Sequence, residues 1–177
     1  MPLLRTERLI LRDFMISDWE ALDAILSDPE ATRYMHFSAW DLKDRWNFFD
    51  WILENNRVSA PDSYQWAIEL YSTGEMIGWF GIGGASEPTV AGARSFGYIL
   101  SRSEWGHGYM TEALRAIIAY EFDALKSPFL TATCETANPA SARVMEKAGM
   151  RWIKTVNDSD FEGNLAERHH YGIANPH

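Results

Sequence analysis

Cysteine is nearly absent from this chain. Cys134 is the single one among 177 residues, so no internal disulfide framework can staple the fold. The N-terminus lacks the basic, then apolar, then small-residue pattern of a secretory leader, which with the lone thiol predicts an intracellular, cytoplasmic protein. No apolar run approaches the ~18 residues of a bilayer span, so no membrane partner is expected. Positive charge is also scarce. Against 25 Asp and Glu stand 16 Lys and Arg, a net charge of −9, which argues against a general nucleic-acid binder. Two phosphate-binding signatures are missing as well. There is no Gly-Lys-Ser/Thr for a P-loop, and no third glycine with a following acidic strand end for a dinucleotide fold. Linkers, repeats and low-complexity tracts are lacking too. Residues 1–177 therefore read as one domain, with 46% hydrophobic residues to build its core.

What is present is a regular succession of elements. Arg8 to Phe14, "RLILRDF", reads as a strand. A helix follows, opened by a Ser17/Glu20 capping box, with Trp19, Leu22, Ile25 and Leu26 on one face. Asp41 to Glu54 predicts a second helix whose stripe of Leu42, Arg45, Trp46, Phe49, Ile52 and Leu53 faces the core. Alternation places Tyr64, Trp66, Ile68 and Leu70 on one side of a strand, and "STGE" turns it into "MIGWFGIGG" as a hairpin. Next come the strand "RSFGYIL", a helix from Thr111 to about Leu125, and the strand "PFLTATCET". A short helix then has Asn138 as cap, Pro139 at its first position and Gly149 after its end. Two strands, near Arg151 to Val156 and Glu167 to Ile173, complete a mixed sheet.

Between "RSFGYIL" and the Thr111 helix lies "EWGHGYM". A helix start leaves unpaired N–H groups and a partial positive charge, so a glycine-rich approach to one can cradle phosphate oxygens. Gly-x-Gly is also an ordinary turn, and the motif alone does not separate the two.

The set "TERLILRDFMISDWEAL", "FGYILSRSEWGHGYMTEAL" and "NPASARVMEKAGM", in that order and spanning nearly the whole chain, resembles the GNAT superfamily of acetyl-CoA-dependent N-acetyltransferases. The likeness is closest to the branch containing the ribosomal-protein alanine and serine N-acetyltransferases. It implies a single-domain α/β (α+β) fold, with a mixed, mostly antiparallel sheet of about seven strands flanked by about four helices. It also implies direct transfer of acetyl from acetyl-CoA, as co-substrate and without a metal, to a primary amine. That amine is a protein N-terminal α-amine or a small-molecule amine, and a homodimer is the assembly the family brings to mind.

The resemblance assigns residues. Backbone amides from Trp105, Gly106, His107, Gly108, Tyr109, Met110 and Thr111 would hold the coenzyme A diphosphate, with Trp105 and Met110 atypical at the ends of the family pattern. Pantetheine would lie along Ile99, Leu100 and Ser101, with the Leu100 N–H as oxyanion donor. Transfer needs a neutral amine, an oxyanion donor and a proton or hydrogen bond for the departing thiolate. Many relatives supply the last with a tyrosine seven residues after the asparagine, where this chain has Met145. Ser141 is the alternative hydroxyl, beside Asn138 as a pantetheine contact; both also read as ordinary helix-start residues.

The glutamate that the branch carries before the "GY" strand core is Ser95 here, which leaves Glu135 as a weak base candidate against its reading as an exposed strand-end carboxylate. Tyr34, His36 and Trp40 are weak acceptor-binding candidates by cation–π contact or hydrogen bonding, core packing being the other reading for Trp40. Cys134 reads as a buried small apolar residue, and His169 and His170 point to opposite faces of a strand, a poor metal pair. The missing tyrosine and the serine at position 95 keep open a non-catalytic acyl-CoA-binding module. A protein binding another nucleotide is a further rival.

Overall fold

The computed structural model describes residues 2–35, 40–58, 62–85, 90–159 and 165–177, without the side chains of residues 158 and 159. The chain runs β1 (Leu4–Arg5), β2 (Leu9–Arg12), α1 (Trp19–Ser27), α2 (Pro29–Thr32), α3 (Leu42–Arg57), β3 (Tyr64–Leu70), β4 (Met76–Gly84), β5 (Arg94–Leu100), α4 (Tyr109–Asp123), β6 (Phe129–Glu135), α5 (Pro139–Lys147), β7 (Arg151–Ser159) and β8 (Leu165–Ala174). The strands form an 8-stranded sheet in the order β1-β2-β3-β4-β5-β6-β8-β7. Every pairing is antiparallel except β5 with β6. The mixed, mostly antiparallel α/β architecture is therefore as expected. The extra strand is the two-residue edge β1, and the extra helix is the single turn α2, started by Asp28 accepting from the Glu30 N–H.

The sheet separates two apolar layers. On one face, Leu9, Leu11, Trp66, Ile68, Leu70, Phe80 and Leu100 pack against Met110, Leu114, Ile117 and Phe122 of α4 and Met145 of α5. On the other, Ala67, Met76 and Ile99 pack against Leu22, Ile25 and Leu26 of α1 and Phe49 and Ile52 of α3. The Tyr64-Trp66-Ile68-Leu70 face is the one turned to α4, as its alternation predicts.

Two local expectations fail. The Ser17/Glu20 capping box does not form; Asp18 precedes α1 instead, accepting from the Met15 N–H at 2.8 Å and from Arg12 Nη1 and Nη2 at 2.7 and 2.9 Å. A carboxylate that answers both an arginine fork and an N–H displaces a serine that would answer one donor. The α3 stripe is also narrower than its spacing suggests. Phe49 and Ile52 are buried, but Leu42 is 60% and Trp46 41% exposed, because α3 rests on the sheet through only part of that face. Trp46 instead packs edge-on against Trp19, with ring centroids 4.8 Å apart.

Candidate active site

β5 and β6 pair side by side only at Arg94↔Leu130 and Ser95↔Thr131. Beyond Ser95 and Thr131 the two parallel strands separate, and the sheet opens into a wedge. β4 stays paired with β5 to its end at Gly78↔Leu100, so the opening lies on the β6 side. The Ser101 N–H donates to the Ile77 carbonyl on the β4 side at 2.8 Å. Strand alternation then turns the Leu100 N–H and C=O the other way, toward the wedge. Trp105 marks that edge, its indole N–H donating to the Leu100 carbonyl at 3.1 Å. The Ile99 side chain lies in the α1/α3 layer and its peptide groups face β4, while Ser101 pairs its hydroxyl with that of Ser103.

The loop after β5 leads directly into α4. Gly106 and Gly108 have φ of 81° and 82°, the left-handed region where a side chain is strained. Gly108 is the residue before the helix, so no side chain occupies the cap position, and α4 begins at Tyr109, two residues ahead of the predicted Thr111. The first N–H groups of a helix have no intrahelical partner, and here those of Tyr109, Met110 and Thr111 sit at its positive end. Met110 is 5% exposed and packs into the core, so its side chain does not cover those N–H groups. Trp105 is held back toward β5 by its bond to Leu100, and exposed His107 stacks on Tyr109 with centroids 5.5 Å apart.

Arg8 braces this loop from the strand end opposite. Its guanidinium donates to the His107 carbonyl at 3.0 Å and to Glu112 at 2.7 Å, and lies 4.5 Å from the Tyr109 ring centroid. Glu112 also accepts from the Thr6 hydroxyl at 2.6 Å and the Arg8 N–H at 2.9 Å. Burial opposes its charge, but these donors and the Arg8 cation outweigh it and hold the carboxyl below its ordinary value.

Across the wedge stands the N-terminus of α5. Asn138 Oδ1 accepts from the Ser141 N–H at 3.1 Å and Pro139 takes the first position, as the sequence predicts. The Ser141 hydroxyl takes no part in that cap. It lies 2.8 Å from the Tyr98 phenol oxygen and near the Cys134 thiol. Burial raises the phenol of Tyr98 well above its usual range, and it pushes the Cys134 thiol up to about 11 against a lowering hydrogen bond from Ser141. Cys134 is 7% exposed, the buried small residue expected, and Met145, 1% exposed, is core rather than cleft.

Backbone that can cradle an anionic diphosphate, a strand edge offering an N–H, and a hydroxyl opposite that edge together suit a coenzyme A thioester. The sequence comparisons fall on the same elements: residues 8–151 match the acetyltransferase (GNAT) domain. The chain belongs to the GNAT acetyltransferase family.

Among its relatives is the uncharacterized N-acetyltransferase p20 of Bacillus licheniformis, 30% identical over 146 residues, which are 82% of this chain and 80% of that protein. A GNAT-family acetyltransferase structure from Bacillus anthracis superposes with a TM-score of 0.84 at 24% identity, covering 99% of this chain and 100% of that one. Spermidine N-acetyltransferase from Vibrio cholerae, solved with CoA and spermine, shares the fold with a TM-score of 0.78 at 13% identity, covering 96% and 97% of the two chains. This GNAT protein is an acetyl-CoA-dependent N-acetyltransferase.

The remaining candidates of this GNAT enzyme are dispersed. Glu135, at the end of β6, lies 3.7 Å from the buried Arg168 of β8, which makes it half of an ion pair. Ser95 sits at the last β5/β6 pair and brings no carboxylate. The Tyr34 hydroxyl donates to the Ala137 carbonyl at 2.9 Å, which ties the end of α2 to the turn before α5. Trp40 packs on Phe48 of α3 with centroids 5.2 Å apart, and Phe48 packs edge-on against Trp79 of β4. His36 lies outside the described residues. His169 is engaged with Thr155, 2.7 Å away. Among the described residues no group of three or more His, Cys, Asp or Glu could hold a metal ion, and no helix is long and apolar enough to cross a membrane.

Sequence reasoning missed Tyr98 and Arg8. Tyr98 sits at core parity between Phe96 and Leu100, and only its terminal oxygen reaches the wedge. Arg8 reads as the polar start of a strand, and nothing local ties it to a loop about a hundred residues on.

Proposed function

We propose that this enzyme moves acetyl directly from acetyl-CoA to a primary amine, a protein N-terminal α-amine or a small-molecule amine, in a ternary complex with no covalent enzyme intermediate. The observation that carries the reading is the wedge: the Leu100 N–H on one side, the Ser141 hydroxyl on the other, and the glycine loop before α4 at its mouth. Bound acetyl-CoA supplies an activated thioester. The amides from Trp105 to Thr111 hold its diphosphate, and backbone from Ile99 to Ser101 and Asn138 lies along its pantetheine. The Leu100 N–H steadies charge on the carbonyl oxygen, and the Ser141 hydroxyl hydrogen-bonds the departing sulfur.

No carboxylate stands at Ser95, and Glu135 is engaged with Arg168. An α-amino group with a pKa of about 7.7–8.0 is already partly neutral at pH 7 and needs little help from a base. That favours α-amines over lysine side chains. The ribosomal-protein branch, on sequence resemblance, makes peptides beginning with Ser or Ala the first acceptors to try. The spermine held by the Vibrio cholerae structure makes polyamines the second.

The test is thiol release from acetyl-CoA over a panel of such peptides, polyamines and amino-acid-like amines. Turnover on α-amines with little on lysine side chains is expected. Tight acetyl-CoA binding with no turnover on any amine would make the chain a non-catalytic acyl-CoA module. A melting temperature raised by ATP or NAD but not by acetyl-CoA would end the reading altogether.

A further inference from the structure

Three residues past the last β5/β6 pair, the β5 arm of the wedge carries Tyr98, whose phenol oxygen lies 2.8 Å from the hydroxyl of Ser141 on α5. We infer that Tyr98 is a positioning residue which, by donating its phenol O–H to Ser141 Oγ, leaves the serine's own proton directed at the sulfur of coenzyme A. This rests on the acetyltransferase reading above and deepens it.

The geometry fixes both ends of the contact. The Tyr98 ring packs near-parallel beside Phe80 and Phe96, with centroids 5.8 and 6.2 Å away and interplanar angles of 23° and 22°, and those two rings are themselves 5.3 Å apart. The phenol oxygen is thus held by a rigid aromatic ladder on the sheet. Its partner sits on the first turn of α5, which Asn138 caps through the Ser141 N–H and not through the hydroxyl. Ser141 Oγ is consequently free of backbone duty and answers to Tyr98 alone on one side. The Ser141 carbonyl, 3.4 Å from the phenol oxygen, competes for the same single proton, and the much shorter 2.8 Å contact with Oγ is the one that takes it.

A phenol is a far stronger donor than an aliphatic hydroxyl, which sets the direction of the pair. With its oxygen accepting from Tyr98, Ser141 has one proton left to give. A departing thiolate accepts that hydrogen bond without needing a full proton transfer from serine. The burial of Tyr98 keeps its phenol protonated across the working pH range, so the donor is never lost. Met145, where many relatives carry a tyrosine, faces the core one turn further along α5. In this chain the aromatic hydroxyl of the site comes from the sheet instead.

The test joins kinetics with binding. Tyr98→Phe keeps the ring stack and removes only the oxygen. It should lower kcat up to about tenfold with the KM for acetyl-CoA unchanged, the loss of one hydrogen bond between neutral hydroxyls. Ser141→Ala should lose as much or more, and Tyr98→Phe in that background should cost nothing further. Wild-type kcat in Tyr98→Phe, or losses that multiply in the double variant, overturn the inference. A second measurement needs no turnover and no variant. By calorimetry above the pKa of the free thiol, the wild-type enzyme should bind CoA at least several-fold more tightly than desulfo-CoA. Equal affinities overturn the inference, and the Ser141–sulfur contact it builds on, while leaving coenzyme A binding intact, whereas failure to bind either ligand overturns the coenzyme A reading and the inference with it.

Discussion

Arg8 and Glu112 hold the start of α4 to the N-terminal hairpin through a guanidinium–carboxylate pair at 2.7 Å, with the Arg8 N–H closing on the same carboxylate at 2.9 Å. The pair stands beside the positive end of α4, where an unneutralised Glu112 would repel an incoming diphosphate. Arg8 cancels that charge and holds the His107 carbonyl, which in the proposed site leaves the neighbouring amides to face the ligand. Arg8→Ala should therefore raise the KM for acetyl-CoA about 5–10-fold, equivalent to roughly 1 kcal/mol of helix-end electrostatics. S-acetylpantetheine, which has no diphosphate, should show the same KM with either enzyme. Equal penalties for the two donors would assign Arg8 to folding alone.

Gly108 tests the cradle from the other side. At φ 82°, a Cβ would meet only Arg8 Nη2, at an ordinary 3.7 Å. The obstacle to substitution is thus conformational, about 1–2 kcal/mol for an L-residue in the left-handed region and more for a β-branched one. Gly108→Val should relieve that strain by rebuilding the loop. Acetyl-CoA affinity should then fall at least tenfold while the melting temperature drops by only a few degrees. Isothermal calorimetry reads the first and a thermal melt the second; unchanged affinity would remove the loop from the site.

How much of this could be read from residues alone depends on the range of the interaction. The Asn138-Pro139 start of α5 and the glycine approach to α4 are local, and both form as read, with α4 merely starting at Tyr109. The Ser17/Glu20 capping box is also local, yet it loses to Asp18, because Arg12 and its other partner Glu69 come from strands that the spacing of a helix cannot reveal. Trp46 has core spacing and an exposed position, since periodicity gives a face but not how much of that face the sheet covers. The wedge itself is a matter of strand pairing. Only once β6 is known to leave β5 after Ser95 does Tyr98 cease to be a core aromatic and become the partner of Ser141.

Asp18 is a stability element that no reading of chemistry would select. It is 4% exposed and meets Arg12 through two bonds, while Arg12 also reaches Glu69 at 2.5 Å. Removing Asp18 leaves the largely enclosed Arg12 cation with Glu69 alone. Asp18→Ala should cost about 3–5 kcal/mol. For a chain of this length that is a fall of roughly 6–20 °C in melting temperature, with the KM of any surviving enzyme for acetyl-CoA unchanged. A loss below about 1 kcal/mol would mean that Glu69 alone satisfies Arg12.

Met145 decides whether this enzyme could have used the tyrosine found in many relatives. The residue lies one turn beyond Ser141, is 1% exposed, and packs with the α4 layer. A phenol there must either overfill the core, at about 1–3 kcal/mol, or turn its hydroxyl toward the wedge that Tyr98 already supplies. Met145→Tyr should accordingly lower the melting temperature without raising kcat, and in a Ser141→Ala background it should restore nothing. Both are read from a melt and from thiol release at saturating acetyl-CoA. Restored turnover in the double variant would show that the wedge accepts a phenol from α5 as readily as a serine steadied from β5. The hydroxyl's place at the sulfur, rather than the Tyr98–Ser141 couple, would then be what the reaction requires.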